Sequence, residues 1–305
     1  MTDPLQYLRD LQYLRDLQVA AVPRAQPRTP RRVMPAVPGL DGQNFLDPCD
    51  LPSLALEILA EGRGANPRAP AARLYLQRCA LPDGARCSLP IRYFDARCLI
   101  ATFAIERARA CGVLNPVGLQ PAGDGADAAV LLGCFEYRDT DLGPYNEVGL
   151  SIPAIASGNP EPALYVLHLP VTTAETDRIG RALWGYPKFV AGIDIRGDSL
   201  AFSTTLRDTA GSTIAAFEGA FAALRPSPPA ELPTYTILNG NLTRTRIDAL
   251  TPFQEGAGAG FCLKVGPSSH PMTKTLSALG LDGARPSRVR YADPFQALLF
   301  PGFPV

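Results

Sequence analysis

Residues 163–190 read ALYVLHLPVTTAETDRIGRALWGYPKFV. In the first part, Leu164, Val166 and His168 alternate with Tyr165, Leu167 and Leu169. That period of two belongs to a β-strand whose faces meet different surroundings. The period breaks at a threonine pair, where Thr172 or Thr173 can cap a helix N-terminus, and Gly185 can close its other end in a left-handed conformation. A second strand signal, FVAGIDIRG at 189–197, follows at once. Strand, helix and strand thus succeed one another without a long linker.

The same texture extends in both directions from about residue 86. CLIATFAIE (98–106), AAVLLGCFEYR (128–138), YNEVGLSIPA (145–154), SLAFSTTLRD (199–208), STIAAFEGAF (212–221), TYTILNG (234–240), GFCLKVG (260–266) and PFQALLF (294–300) are short apolar runs separated by turn signals. Many such runs predict an antiparallel barrel or sandwich. With a second helix at HPMTKTLSALG (270–280), the fold class is read as α+β, a mainly antiparallel β-barrel with a few helices, over residues 86–305.

Upstream the character changes. Residues 5–18 are a tandem LQYLRD repeat with leucines every third position, read within 1–19 either as an amphipathic helix that docks on its own body or a sister subunit or as a slipped duplication in an unstructured tail; a homo-oligomer is the expected assembly. Residues 20–42 are rich in proline and arginine, the composition of an extended linker. Residues 43–85 are read as a helical N-terminal extension, with helices over 51–61 and 69–80. Proline, at 31 of 305 residues, is about twice its usual share.

Composition excludes several functions. Lys+Arg and Asp+Glu are both 29, so no basic surplus draws the chain to nucleic acid or to an anionic membrane. The seven cysteines form no CxxC pair and only two histidines exist, which argues against a zinc site or a disulfide framework. No metal and no cofactor is expected. No apolar run reaches the ~18–20 residues of a membrane span, and a reducing, cytoplasmic location is the expectation. GAGAG at 256–260 lacks a following GK[ST] and reads as a hairpin loop. His168, Cys134 and Cys262 read as buried strand residues, and Lys264 and Lys274 as ordinary surface lysines.

Only three of the 29 basic residues are lysine: Lys188, Lys264 and Lys274. Arginine cannot lose its proton near neutral pH and lysine can, so a retained lysine is informative. Lys188 stands in Trp184-Gly185-Tyr186-Pro187-Lys188-Phe189-Val190. A helix C-terminus favours an ammonium by about 0.3–1 kcal/mol, whereas full burial disfavours it by far more. A Lys188 pointing into the barrel would therefore tend toward a neutral, nucleophilic amine; one pointing outward would merely snorkel over apolar neighbours.

The segment Gly180-Arg181-Ala182-Leu183-Trp184-Gly185-Tyr186-Pro187-Lys188 resembles the GRxLxxYPK stretch of the acetoacetate decarboxylase-like superfamily, and the resemblance extends over residues 86–305. It implies that Lys188 forms an imine with the substrate. Leu142-Gly143-Pro144-Tyr145-Asn146-Glu147, followed by Ile152-Pro153, resembles the segment carrying an active-site glutamate, which implies that Glu147 shuttles protons. Arg97, in Tyr93-Phe94-Asp95-Ala96-Arg97, falls where the family has an arginine that holds the substrate carboxylate. Trp184, Tyr186, Phe189 and Tyr145 are the expected substrate-binding side chains.

Two positions depart from the pattern. Phe189 stands where the decarboxylase has a second lysine, and Leu132-Gly133-Cys134 covers the place of a second acid. The expected function is a Schiff-base lyase that decarboxylates a β-keto acid. Alternatives are an aldolase-dehydratase or cyclase that uses the same lysine on a larger oxo acid in secondary metabolism, and a barrel that only binds an apolar ligand.

Overall fold

The computed structural model describes residues 77–80 and 86–305. The hexad repeat, the Pro/Arg-rich linker and the helices expected over 51–61 and up to residue 76 lie outside the described residues. In chain order the elements are β1 (Gln77–Ala80), β2 (Arg86–Leu89), β3 (Ile91–Glu106), α1 (Arg107–Leu114), β4 (Leu119–Pro121), β5 (Asp127–Thr140), β6 (Tyr145–Ala156) and β7 (Asn159–Val171). After them come α2 (Ala174–Trp184), β8 (Lys188–Val190), β9 (Gly192–Gly197), β10 (Ala201–Arg207), β11 (Thr213–Ala220), β12 (Arg225–Ser227) and β13 (Thr234–Leu238). The chain closes with β14 (Asn241–Ala249), β15 (Phe253–Ala257), β16 (Phe261–Val265), α3 (Pro271–Ala278) and β17 (Arg288–Pro304).

The long strands make a closed barrel. The order β3-β5-β6-β7-β13-β14-β17 returns to its start because β17 also pairs with β3. Closure leaves no free edge among these strands. All the pairings are antiparallel except β7 with β13, and the short β8 also runs parallel to β7. The expected class, α+β with a mainly antiparallel barrel, is the one observed. Among the described residues, no helix is long and apolar enough to cross a membrane.

The two faces of the barrel wall make two cores. One apolar cluster fills the interior, with Ala96, Cys98 and Ile100 from β3, Tyr137 from β5, Tyr145 from β6 and Trp184 from α2. The other lies outside the wall, where the sheet β9-β10-β11-β16 packs over β3, β5 and β6 through residues such as Phe103, Leu150, Ile195 and Phe217. Full burial of an aliphatic or aromatic side chain contributes about 1.5–3 kcal/mol, so both faces of these strands add stability. That is why their sequences read as near-continuous apolar runs.

Two expectations are corrected. The helix predicted over 69–80 fails at its end, because Gln77–Ala80 is a strand paired with Arg86–Leu89. Pro82-Asp83-Gly84 between them is turn chemistry, a signal that outweighs the apolar spacing. GAGAG is not a hairpin loop: β15 pairs with β12 and β17, whereas β16 pairs with β11. The glycines carry the chain from one sheet to the other; a Cβ at Gly258 would lie 2.4 Å from the Pro286 carbonyl oxygen.

Candidate active site

Helix α2 covers the barrel interior. Thr173 caps it, accepting a hydrogen bond from the Thr176 amide, and Gly185 ends it at φ 65°. A side chain is excluded at Gly185, since a Cβ there would sit 2.3 Å from the Ile237 carbonyl oxygen. Thr176, Gly180 and Trp184 recur every four residues, so one stripe of the helix faces the cavity. The helix is held there by Trp184, whose indole N–H donates to the Phe300 carbonyl at 2.8 Å. Gly185 then turns the chain into β8, and Lys188, the first residue of that strand, points back inside.

Lys188 is 7% exposed and Glu147 is 7% exposed. Their side chains form an ion pair, Nζ donating to Oε2. The other carboxylate oxygen, Oε1, accepts from the Tyr137 hydroxyl at 3.3 Å. The Nζ also lies 5.7 Å from the Tyr145 ring centre and 5.9 Å from that of Tyr186. Taking both charges out of water is costly, and their mutual attraction offsets that cost.

The lysine stem crosses α2 at Gly180. A Cβ at that position would be 2.4 Å from Lys188 Cε and 2.5 Å from Cδ. The glycine is therefore what lets the amine reach the carboxylate. Sequence reasoning quoted Gly180 inside the motif but gave it no role; a glycine in a helix interior, costing about 0.5–1 kcal/mol against alanine, was the available signal.

The cavity around the pair has a volume of about 110 Å³, far more than the ~10–15 Å³ that one water needs by this measure. Its wall is mainly aromatic and aliphatic. Tyr93, Tyr137 and Tyr145 pack in sequence at tilted angles, with ring centres 4.6 Å apart at each step. The Tyr93 and Tyr145 hydroxyls are 3.4 Å apart. Burial, with the negative charge of Glu147 adding to it, pushes all three phenols well up, so they stay neutral donors. Tyr186 shares a 2.9 Å hydrogen bond with Thr234.

Five of the seven site residues named from sequence meet here: Lys188, Glu147, Trp184, Tyr186 and Tyr145 all line the cavity. Phe189 does not. Side chains alternate along a strand, so the neighbour of an inward lysine points outward, and Phe189 packs on His270 with ring centres 4.2 Å apart.

Arg97 is also outside. It pairs with Asp293 at 3.0 Å and Glu136 at 3.4 Å. The cause is in the register of β3. Tyr93 lines the cavity, and an unbroken alternation would carry Asp95 and Arg97 to the same side. Irregularities at Tyr93/Asp95 and Asp95/Ala96 shift the phase, so Ala96, Cys98 and Ile100 face inward and Arg97 outward. Among the described residues that line the cavity, Lys188 is the sole cation, with no arginine or histidine beside it.

Of the residues set aside, Cys134 is buried as expected, whereas His168 and Cys262 are only half-buried. His168 hydrogen-bonds Thr275 at 2.8 Å, and burial pulls its imidazole down to about 4. Cys134 is fully buried. Lys264 pairs with Glu218 on the surface.

A family model for acetoacetate decarboxylase (ADC) matches residues 80–252. A comparison with curated protein sequences finds no significant match. Among solved structures, the acetoacetate decarboxylase of Legionella pneumophila subsp. pneumophila str. Philadelphia 1 is similar at TM-score 0.54 and 17% identity, covering 78% of this chain and 92% of that one. The enduracididine biosynthesis enzyme MppR complexed with pyruvate has TM-score 0.56 and 17% identity, covering 73% and 94%. MppR with the condensation product of pyruvate and imidazole 4-carboxaldehyde has TM-score 0.55 and 16% identity, covering 72% and 90%. At such identities the structures speak for the fold, and the family model speaks for descent: the chain belongs to the acetoacetate decarboxylase family.

Proposed function

We propose that the chain is a lyase that forms an imine between Lys188 and the ketone of a 3-oxo acid and releases carbon dioxide. The observation that carries this reading is the buried Lys188–Glu147 pair facing a largely apolar cavity. Glu147 takes a proton from the ammonium, and the freed amine attacks the ketone carbon. The proton that the attacking nitrogen sheds passes to the carbonyl oxygen, which gives a neutral carbinolamine. Glu147 returns its proton as the hydroxyl leaves as water, and an iminium remains. The bond to the carboxylate breaks, its electron pair flows to the iminium nitrogen, and carbon dioxide departs from a neutral enamine. Protonation of the enamine carbon and hydrolysis release the ketone and restore Lys188. Glu147, paired with the Lys188 Nζ, is the carboxylate placed to carry these protons, the position that general acid–base catalysis requires.

The cavity favours a reaction that removes charge. Among the described residues a substrate carboxylate meets no guanidinium there, because Arg97 is bonded elsewhere, and a buried carboxylate without a cation is costly. Loss of carbon dioxide ends that cost. An aldol-type condensation on a 2-oxo acid keeps its carboxylate throughout and gains no such relief. That second reading has its own support in MppR, a protein of this fold bound to a condensation product of pyruvate and an aldehyde.

One further feature fits a divergent member. Gly133, in the segment aligned with the family's second acid, lines the cavity with no side chain, and the Phe135 ring occupies its place, 2.7 Å from where a Cβ would be. The lyase reading is tested by incubating the protein with 3-oxo acids, measuring carbon dioxide release and reducing the mixture with borohydride. Carbon dioxide together with a reduced adduct is the expected result. An adduct with an aldehyde-condensed product and no carbon dioxide would favour the second reading.

A further inference from the structure

The walls of the cavity differ along the barrel. Tyr93, Tyr137 and Tyr145 come from the adjacent strands β3, β5 and β6; Val166, Ile247 and Leu299 come from β7, β14 and β17, on the remaining arc. The hydroxyl protons can be counted. Tyr137 spends its own on Glu147. Tyr93 and Tyr145 share one contact between them, which uses one proton of two. One phenolic O–H of that pair therefore has no partner among the described residues, although Tyr93 is 8% and Tyr145 4% exposed. A buried donor without an acceptor costs about 1–3 kcal/mol, and a ligand oxygen would remove the cost.

We propose that the Tyr93–Tyr145 pair is the subsite for the substrate carboxylate, in place of a guanidinium, and that the aliphatic arc selects a 3-oxo acid carrying a hydrocarbon chain. This rests on the imine reading of Lys188. Neutral phenols hold a carboxylate by hydrogen bonds without neutralising it. A guanidinium would stabilise the ground-state charge and oppose its loss, whereas a phenol orients the carboxylate and leaves it costly to keep. The aliphatic wall then supplies affinity through the other substituent of the ketone, where each buried methylene contributes about fourfold in binding.

The test uses the full chain with acetoacetate and 3-oxooctanoate as acids, and with 2-heptanone, the decarboxylated product of the latter, as a probe that lacks the carboxylate. In the unaltered enzyme, KM for 3-oxooctanoate is expected to be at least about tenfold below that for acetoacetate. Equal or reversed values would overturn the chain-length selection. In Tyr93→Phe/Tyr145→Phe, KM for both acids should rise about tenfold or more, while borohydride trapping of 2-heptanone on Lys188 stays within about twofold. Either single phenylalanine variant, with packing preserved, should show the same selectivity in smaller measure. Unchanged KM for the acids, or equal loss for the acids and the ketone, would overturn the carboxylate subsite. Failure of the unaltered enzyme to trap 2-heptanone would instead overturn the Lys188 reading beneath it.

Discussion

Two charge clusters lie on opposite faces of the same barrel wall and behave differently. Inside, Lys188 and Glu147 are each 7% exposed and pair only with each other and with phenols. Outside, Arg97, Arg138, Asp95 and Asp293 form a network in which every side chain keeps a fifth to nearly a half of its surface in contact with water. The bonds are of the same kind. Charges in water are solvated whether or not they pair, and an exposed pair contributes about 0–1 kcal/mol. A desolvated pair attracts more strongly because little water screens it. Burial is thus what separates the two clusters.

The contrast can be broken from either side. The largest expected effect is in Lys188→Arg, which keeps the charge and removes the attainable neutral amine. Turnover should fall by about 10³-fold or more, with circular dichroism unchanged. Glu147→Gln removes the proton acceptor and should lower kcat by about 10²–10⁴-fold, measured by carbon dioxide release. Gly180→Ala tests geometry alone, since its methyl would push Lys188 Cε aside. A shift of about 1 Å at a reacting atom can cost about 10²-fold, so kcat should fall by one to two orders of magnitude while Tm hardly moves.

The outer cluster should respond in stability only, and weakly. In Arg97→Ala, kcat/KM should stay within about twofold and denaturant stability should fall by at most about 1 kcal/mol. A large activity loss there would erase the distinction between the two faces. The pH dependence has a defined sign. Partial burial opposes ionisation of Asp293, but hydrogen bonds from Arg138 and Arg97 prevail and hold its carboxyl below the usual range. The stability this gives is complete above the unfolded carboxyl value of about 3.9 and is lost as pH falls through the lower folded value. Urea midpoints of the unaltered chain and Arg97→Ala should accordingly converge in acid.

Much of the interior was legible in the sequence and one part of it was not. The motif around Lys188 runs from the end of α2 through Gly185 into β8, and the segment around Glu147 runs from a turn into β6; glycine and proline mark both junctions, so the local reading carried to three dimensions. Helix α2 has its Thr173 and Gly185 caps where the sequence puts them. Arg97 was misassigned because its side depends on irregular pairing between β3 and β5, which no alternation within residues 93–97 reveals. Phe189 followed from adjacency to the lysine, although adjacency in a strand means opposite faces. Tyr93 and Tyr137 were missed for a related reason: tyrosines scattered over two strands gather only once the barrel closes.

The central claim is that the Lys188 amine attacks a ketone inside the barrel. Its most direct test is borohydride reduction in the presence of a 3-oxo acid, followed by peptide mass spectrometry. The account predicts one adduct, on Lys188, that carries the mass of the reduced ketone and is absent from Lys188→Arg. Turnover of the same acid with Lys188 unmodified under these conditions would contradict it.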